Sequence, residues 1–152
     1  MRGGEVSDFD TQVKLAVYGH FAEEAAAPSV AQVAARVRAK EADVRAAYRR
    51  LFASRVLVLE PDGATLRMAP PFSGVPTQHV VLAGGKSYFA NCAWDALGVV
   101  AALGAEGEVR SRCEQSMEPL RIPVHRDGPE PVPCVIHFAV PAAHWWRDIV
   151  HT

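Results

Sequence analysis

"KSYFANCAWDALGVVAALG", residues 86–104, changes character in its middle. Residues 86–92 read as an extended piece. Residues 93–104 are apolar at helical spacing and end on Gly104, a residue type suited to capping a helix C-terminus. The stretch is therefore a strand running into a helix, with Cys92 at the junction. A thiol at a helix N-terminus faces the positive end of the helix dipole, which favours thiolate. Asp95 follows one turn later on the same side of the helix. Held beside apolar Trp94 and Leu97, its carboxyl is expected to have a raised pKa and to donate a proton. Taken alone, Cys-x-x-Asp is a weak motif: a core cysteine and an acid satisfying a helix dipole explain it equally well.

Upstream, residues 1–8 read as a loose leader, and a helical pattern runs from Phe9 to about Ala26, broken by Pro28. Ser29-Val30-Ala31-Gln32 has the form of a capping box that starts a short helix to about Arg36. A third helix is expected from about Glu41 to Ser54, with Val44, Ala47, Tyr48 and Leu51 on one buried face. "RVLVLEPDGATLRM" then reads as strand, Pro-Asp-Gly turn, strand. This order is that of a winged helix over residues 1–70. Arg45, Arg49 and Arg50 leave the third helix away from its apolar face, and Arg36, Arg38, Lys40 and Arg55 lie nearby. A duplex-binding reading follows, with arginines on phosphates and base edges; the plainer reading is a packing module with a solvated basic face.

Residues 71–80, inside "APPFSGVPTQHV", have a linker's composition, and a second unit is expected over 81–152. "HVVLAGG" and "KSYFANC" are read as extended, and "EVRSRCEQSMEPLRIPVHRDG" as two strands turning near Glu118-Pro119. "PVPCVIHFAVP" (131–141) alternates like a strand, and "AAHWWRDIVHT" starts a helix. Of Trp145 and Trp146, one is expected to pack while the other covers a surface where a second copy of the chain could dock.

The 152 residues carry 16 Lys and Arg against 17 Asp and Glu, and 49% are hydrophobic, so the chain is globular with no general polyanion-binding balance. No N-terminal apolar core with a cleavage site is present, and no apolar run nears the roughly 18–20 residues of a membrane span. A cytoplasmic protein without membrane attachment is expected. The three cysteines, Cys92, Cys113 and Cys134, are odd in number and widely spaced, without a Cys-x-x-Cys zinc pattern. Cys113 and Cys134 are expected in the core, with a lesser claim as metal ligands. His137 and His144 lack ligand spacing, and "LAGGKS" lacks that of a phosphate loop.

A winged-helix-like unit, a linker and then Tyr-x-x-x-Cys-Ala-x-Asp-x-Leu, here Tyr88, Cys92, Ala93, Asp95 and Leu97, resembles the alkylmercury (organomercurial) lyases. "VRSRC" ending at Cys113 and "HFAVPAAHWWRDI" resemble later parts of that family. The likeness runs from about residue 29 and is firmest across 86–113. It implies an α+β fold and protonolysis of a carbon–mercury bond. Two cysteine thiolates would hold the soft metal while an aspartate protonates the leaving carbon. Cys92 would be the first thiolate, Asp95 the proton carrier and Cys113 a structural cysteine. Mercury(II), or another soft metal, would be substrate or product, with no cofactor required. The family's second catalytic cysteine is expected at about Thr152, its last strand and helix are expected to be missing, and Cys134 does not match the motif. The alternative is a DNA-binding or metal-sensing regulator using Arg45, Arg49 and Arg50.

Overall fold

In the computed structural model, which describes residues 7–150, the chain opens with α1 (Asp8–Glu24), α2 (Val30–Val37) and α3 (Glu41–Ala53). Local chemistry sets two of the three starts. Ser7 Oγ accepts from the Asp10 amide at 3.2 Å. Ser29 and Gln32 close a reciprocal capping box, at 3.2 Å and 2.8 Å. The expected inner face of α3 is fully buried: Val44, Ala47, Tyr48 and Leu51 are each 0% exposed. Val13, Val17 and Phe21 of α1 meet it in one core.

The strands are β1 (Val58–Leu59), β2 (Leu66–Ala69), β3 (Phe72–Ser73), β4 (His79–Ala83) and β5 (Lys86–Ala90). After α4 (Ala93–Leu103) come β6 (Gly107–Arg112), β7 (Pro119–His125) and β8 (Gly128–Pro129). They form one antiparallel sheet in the order β1-β2-β3-β5-β4-β6-β7-β8. Asp62 shapes the β1–β2 turn by accepting from the Ala64 and Thr65 amides at 2.9 Å and 2.8 Å. These bonds and the Thr65 hydroxyl lower its pKa to about 2. Gly84 and Gly85, at φ 56° and 74°, make the tight β4–β5 turn that other residues would strain.

The result is the expected α+β class, with three helices first and α4 set between β5 and β6 of the sheet. Three local expectations change. Residues 71–80, read as a linker, contribute β3 and the start of β4, so the sheet crosses the expected boundary without a break. The reason is Phe72: it stacks on Phe21 with ring centroids 5.2 Å apart and tilts against Tyr88 at 6.0 Å. The loop-like composition around it conceals one large core residue. Residues 131–141 form no strand. Pro131, Pro133 and Pro141 lack the amide a ladder needs, and no strand among the described residues pairs with them. The expected helix after Pro141 is a short 3₁₀ turn, Ala142–Arg147.

Helix α4 buries Ala96, Val99 and Val100 against the sheet. A Cβ at Gly98 would come within 3.1 Å of Pro71 Cβ, so glycine there lets the helix settle against the chain entering β3. Two hydroxyls tie α1 to the sheet side: Tyr88 donates to the Ala22 carbonyl at 3.0 Å and Tyr18 to the Pro70 carbonyl at 2.9 Å. Together these contacts fix where the start of α4 sits relative to α1.

Candidate active site

Strand β5 ends at Ala90, and one residue later the chain turns into α4 with Cys92 as its N-cap, at φ −151° and ψ 178°. A cysteine thus occupies the place that serine or aspartate usually takes. Its Sγ accepts from the Asp95 amide at 3.4 Å. The strand-to-helix junction expected from the sequence is present, with Gly104 capping the other end at φ 59°.

Asp95 is fixed from its other side by Asn91, whose Nδ2 donates to Asp95 Oδ2 at 2.9 Å. The same Nδ2 lies 3.3 Å from the Pro71 and Phe72 carbonyls, while Asn91 Oδ1 is buried with no partner. With Nδ2 facing only acceptors, the amide orientation is set by its surroundings. Burial pushes the Asp95 carboxyl above its ordinary value, and the Asn91 hydrogen bond pulls the other way without reversing it. Cys92 behaves differently from the expectation of a helix-stabilised thiolate. Burial raises its pKa and the neighbouring Asp95 charge adds to this, outweighing the amides of Asp95 and Trp94. Tyr18 is raised too, first by burial and then by Asp95. The carboxyl and thiol are thus both biased towards their protonated forms.

Cys92, Asp95 and Asn91 open onto a cavity of about 400 Å³. Lys14 and Tyr18 of α1, Met68 of β2 and Pro70 supply one side, with Arg55 and Val56 from the turn after α3. Phe138, Trp145, Trp146, Ile149 and Val150 supply the other. Phe138 bridges Trp94 and Trp145, with ring centroids at 6.4 Å and 5.0 Å. Trp145 Nε1 donates to the Val140 carbonyl at 2.7 Å. Both tryptophans are half-buried and line this cavity, in place of the expected division into one packed and one surface-covering ring. Trp94, expected to shield the carboxyl, is itself 57% exposed.

The remaining sequence candidates lie elsewhere. Cys113 is half-buried on the β6–β7 turn, where Ser116 hydrogen bonds lower its pKa. Cys134 is exposed, because its segment is not a strand and covers no core. Neither lines the cavity, and all three thiols are free. The position expected to match the second catalytic cysteine, Thr152, lies outside the described residues, as do residues 1–6 of the expected leader. Arg50 is engaged by buried Asp10, with Nη2 to Oδ1 at 2.6 Å, and Arg45 reaches Glu41 at 3.6 Å. Arg49 is exposed on α3. Among the described residues, no group of three His, Cys, Asp or Glu is placed to hold a metal ion. Asn91 was legible only as the neighbour of Cys92. Lys14, Tyr18 and Phe138 carried no local signal, since only the tertiary fold brings them here.

A half-buried thiol at a strand-to-helix junction and a half-buried carboxyl thus open together on a cavity lined with aromatic rings. The alkylmercury lyase (MerB) family model matches residues 72–152, more than half of the chain, and the chain belongs to that family. Among solved structures, the crystal structure of the mercury-bound form of MerB2 superposes with a TM-score of 0.67 at 20% identity. The match covers 84% of this chain and 61% of that one, so the chain spans under two thirds of that relative's length. At this identity the likeness is one of fold. No curated protein matches the chain in sequence. No helix among the described residues is long and apolar enough to cross a membrane.

Proposed function

We propose that the chain is an organomercurial lyase that cleaves a carbon–mercury bond by protonolysis, with Cys92 as thiolate and Asp95 as proton carrier. The observation that supports this best is the shared cavity. Among the described residues, the one cysteine and the one carboxyl lining it are three residues apart, and burial raises that carboxyl's pKa. Family membership supplies the metal chemistry of the reading.

In this scheme the Cys92 thiol gives its proton to solvent as its sulfur bonds the mercury of an organomercurial cation, R–Hg⁺. The softness of both atoms drives this exchange. Asp95 then transfers its proton to the mercury-bound carbon. The carbon keeps the electron pair of the breaking carbon–mercury bond and leaves as R–H. Mercury(II) remains on the Cys92 sulfur beside the Asp95 carboxylate until two external low-molecular-weight thiols take it away as their bis-thiolate, their two protons returning to Cys92 and Asp95. Asn91 holds the carboxyl in register throughout, through its 2.9 Å bond to Oδ2.

The first three helices and the β1–β2 hairpin serve this reading as a winged-helix-like scaffold whose α1 and post-α3 turn wall the cavity. That use differs from duplex recognition, for which Arg50 is already committed to Asp10. The reading is tested with phenylmercury and excess thiol, following benzene release by gas chromatography. Release by the unmodified protein and none by Cys92→Ser is the expected result. Benzene formed equally fast by the variant overturns it.

A further inference from the structure

The polar residues of the cavity are unevenly distributed. Around one thiol and one carboxyl, most of the wall is aromatic or aliphatic, yet two cations, Lys14 and Arg55, border it as well. Outside the cavity, Arg36 pairs with Glu23, Arg50 with Asp10, Arg67 with Glu60 and Arg110 with Glu108, all within 2.9 Å, while cations such as Arg38 and Arg49 lie exposed to solvent without an ion pair among the described residues. Lys14 and Arg55 form no ion pair among the described residues. Asp95, the one acid in the same wall among the described residues, already accepts from Asn91. Lys14 is half-buried on α1. Arg55 is held at φ 61° directly after α3, a position where glycine is the usual unstrained choice.

We propose that Lys14 and Arg55 form an anion-accepting edge of the Cys92 cavity, so that the organomercurials it prefers are aryl compounds bearing a carboxylate. This rests on the reading that Cys92 takes the organomercurial. Phe138, Trp145 and Trp146 offer flat apolar surface for a ring whose mercury sits on Cys92. A volume of about 400 Å³ suits one small aromatic group. A carboxylate on that ring meets two unpaired cations, one of them a guanidinium able to bind both oxygens. The apolar walls strengthen the attraction by lowering the local dielectric.

The test uses the full chain with Cys113→Ser and Cys134→Ser, leaving Cys92 as the only thiol. Its partition against 2-mercaptoethanol is measured by intact-protein mass spectrometry for 4-mercuribenzoate and for phenylmercury. Comparing the two exchange constants cancels the mercury–sulfur bond and isolates the carboxylate. The expected preference for the benzoate is about tenfold, on the scale of two modest ion pairs. It should fall towards one in Lys14→Met/Arg55→Met, and in the same protein without those changes as salt rises to about 0.5 M. The salt series stands even if the double variant folds poorly. Adducts at Cys92 with equal constants, or a preference that survives both the substitutions and salt, overturn this inference alone. No adduct at Cys92 with either reagent overturns it together with the lyase reading.

Discussion

The two sides of the cavity are built in different ways. On the α4 side, Cys92 and Asp95 sit between a five-residue strand and an eleven-residue helix. Asn91 pins the carboxyl, Tyr18 reaches across to the Pro70 carbonyl, and Ala96, Val99 and Val100 anchor the helix in the core. On the other side, residues 131–150 include no buried residue at all. Phe138 and Trp145 lean on each other, Trp145 is tied to the Val140 carbonyl, and Val135 is 89% exposed. Cys92 and Asp95 are therefore held by the better-buried part of the fold, while the shape of the space before them is set by its least buried part. Precise chemistry needs the first; a cavity that admits varied organic groups can use the second.

The largest effect is expected on the anchored side. Asp95→Asn keeps the size and an acceptor for Asn91 but removes the proton that the proposed cleavage would consume. Release of hydrocarbon should fall by about 10²- to 10⁴-fold, while the Cys92 adduct still forms and is seen by mass spectrometry. Equal losses of both would place Asp95 in binding, and the contrast between fixed chemistry and loose shape would fail. In the unmodified protein the sign with pH also follows. Because burial raises the Asp95 value, its donor form persists to higher pH than that of an ordinary carboxyl, and cleavage should decline as pH rises through that value.

Phe72→Ala tests whether the two halves of the chain share one stable unit. The ring stacks on Phe21 of α1 and packs against Tyr88 of β5, at 2% exposure. A loss of about 3–5 kcal/mol is expected, read as one denaturant transition in which helix and tertiary signals disappear together. Two separated transitions would show that the sheet does not join what the aromatic cluster spans.

Much of the anchored side was legible in the sequence because its signals are local. Ser29 and Gln32 announce a capping box, Val44, Ala47, Tyr48 and Leu51 a helix face, and the run from Lys86 to Gly104 a strand turning into a helix. Each is decided within one or two turns of chain. The failures share the opposite cause. Phe72 in proline-rich surroundings looks like linker, because what makes it core is Phe21, fifty-one residues earlier. Alternation in 131–141 looks like a strand, yet a strand exists only where an edge is free to pair. The charge state expected for Cys92 erred for a related reason. The helix dipole is read from local sequence, whereas the burial that opposes it arises only once the chain is folded.

A smaller effect separates buried from exposed charge on the helical side. Asp10 is 1% exposed and held by Arg50, which keeps its carboxyl below the ordinary value. Its contribution is therefore present above the unfolded value and lost as pH falls through the folded one. Arg50→Ala should cost about 1–3 kcal/mol near neutrality, by leaving a buried carboxylate without its partner. It should also flatten the acid limb of stability against pH, measured by denaturation at several pH values. An unchanged acid limb would assign that dependence to other carboxylates.

The smallest stability effect is expected on the loose side, where the effect on ligand should be large by comparison. Phe138 is 42% exposed, so Phe138→Ala should cost no more than about 1 kcal/mol. The same change removes the ring that links Trp94 to Trp145 and widens the cavity in front of Cys92. The exchange constant of a bulky aryl mercurial should change several-fold relative to methylmercury, because the small group never reaches this wall. Trp145 fluorescence should shift in step as its ring loses its neighbour. A variant that loses as much stability as Phe72→Ala would show residues 131–150 to be as firmly anchored as the sheet. One that leaves the aryl-to-methyl ratio untouched would remove that segment from substrate selection and leave selection to the anchored side.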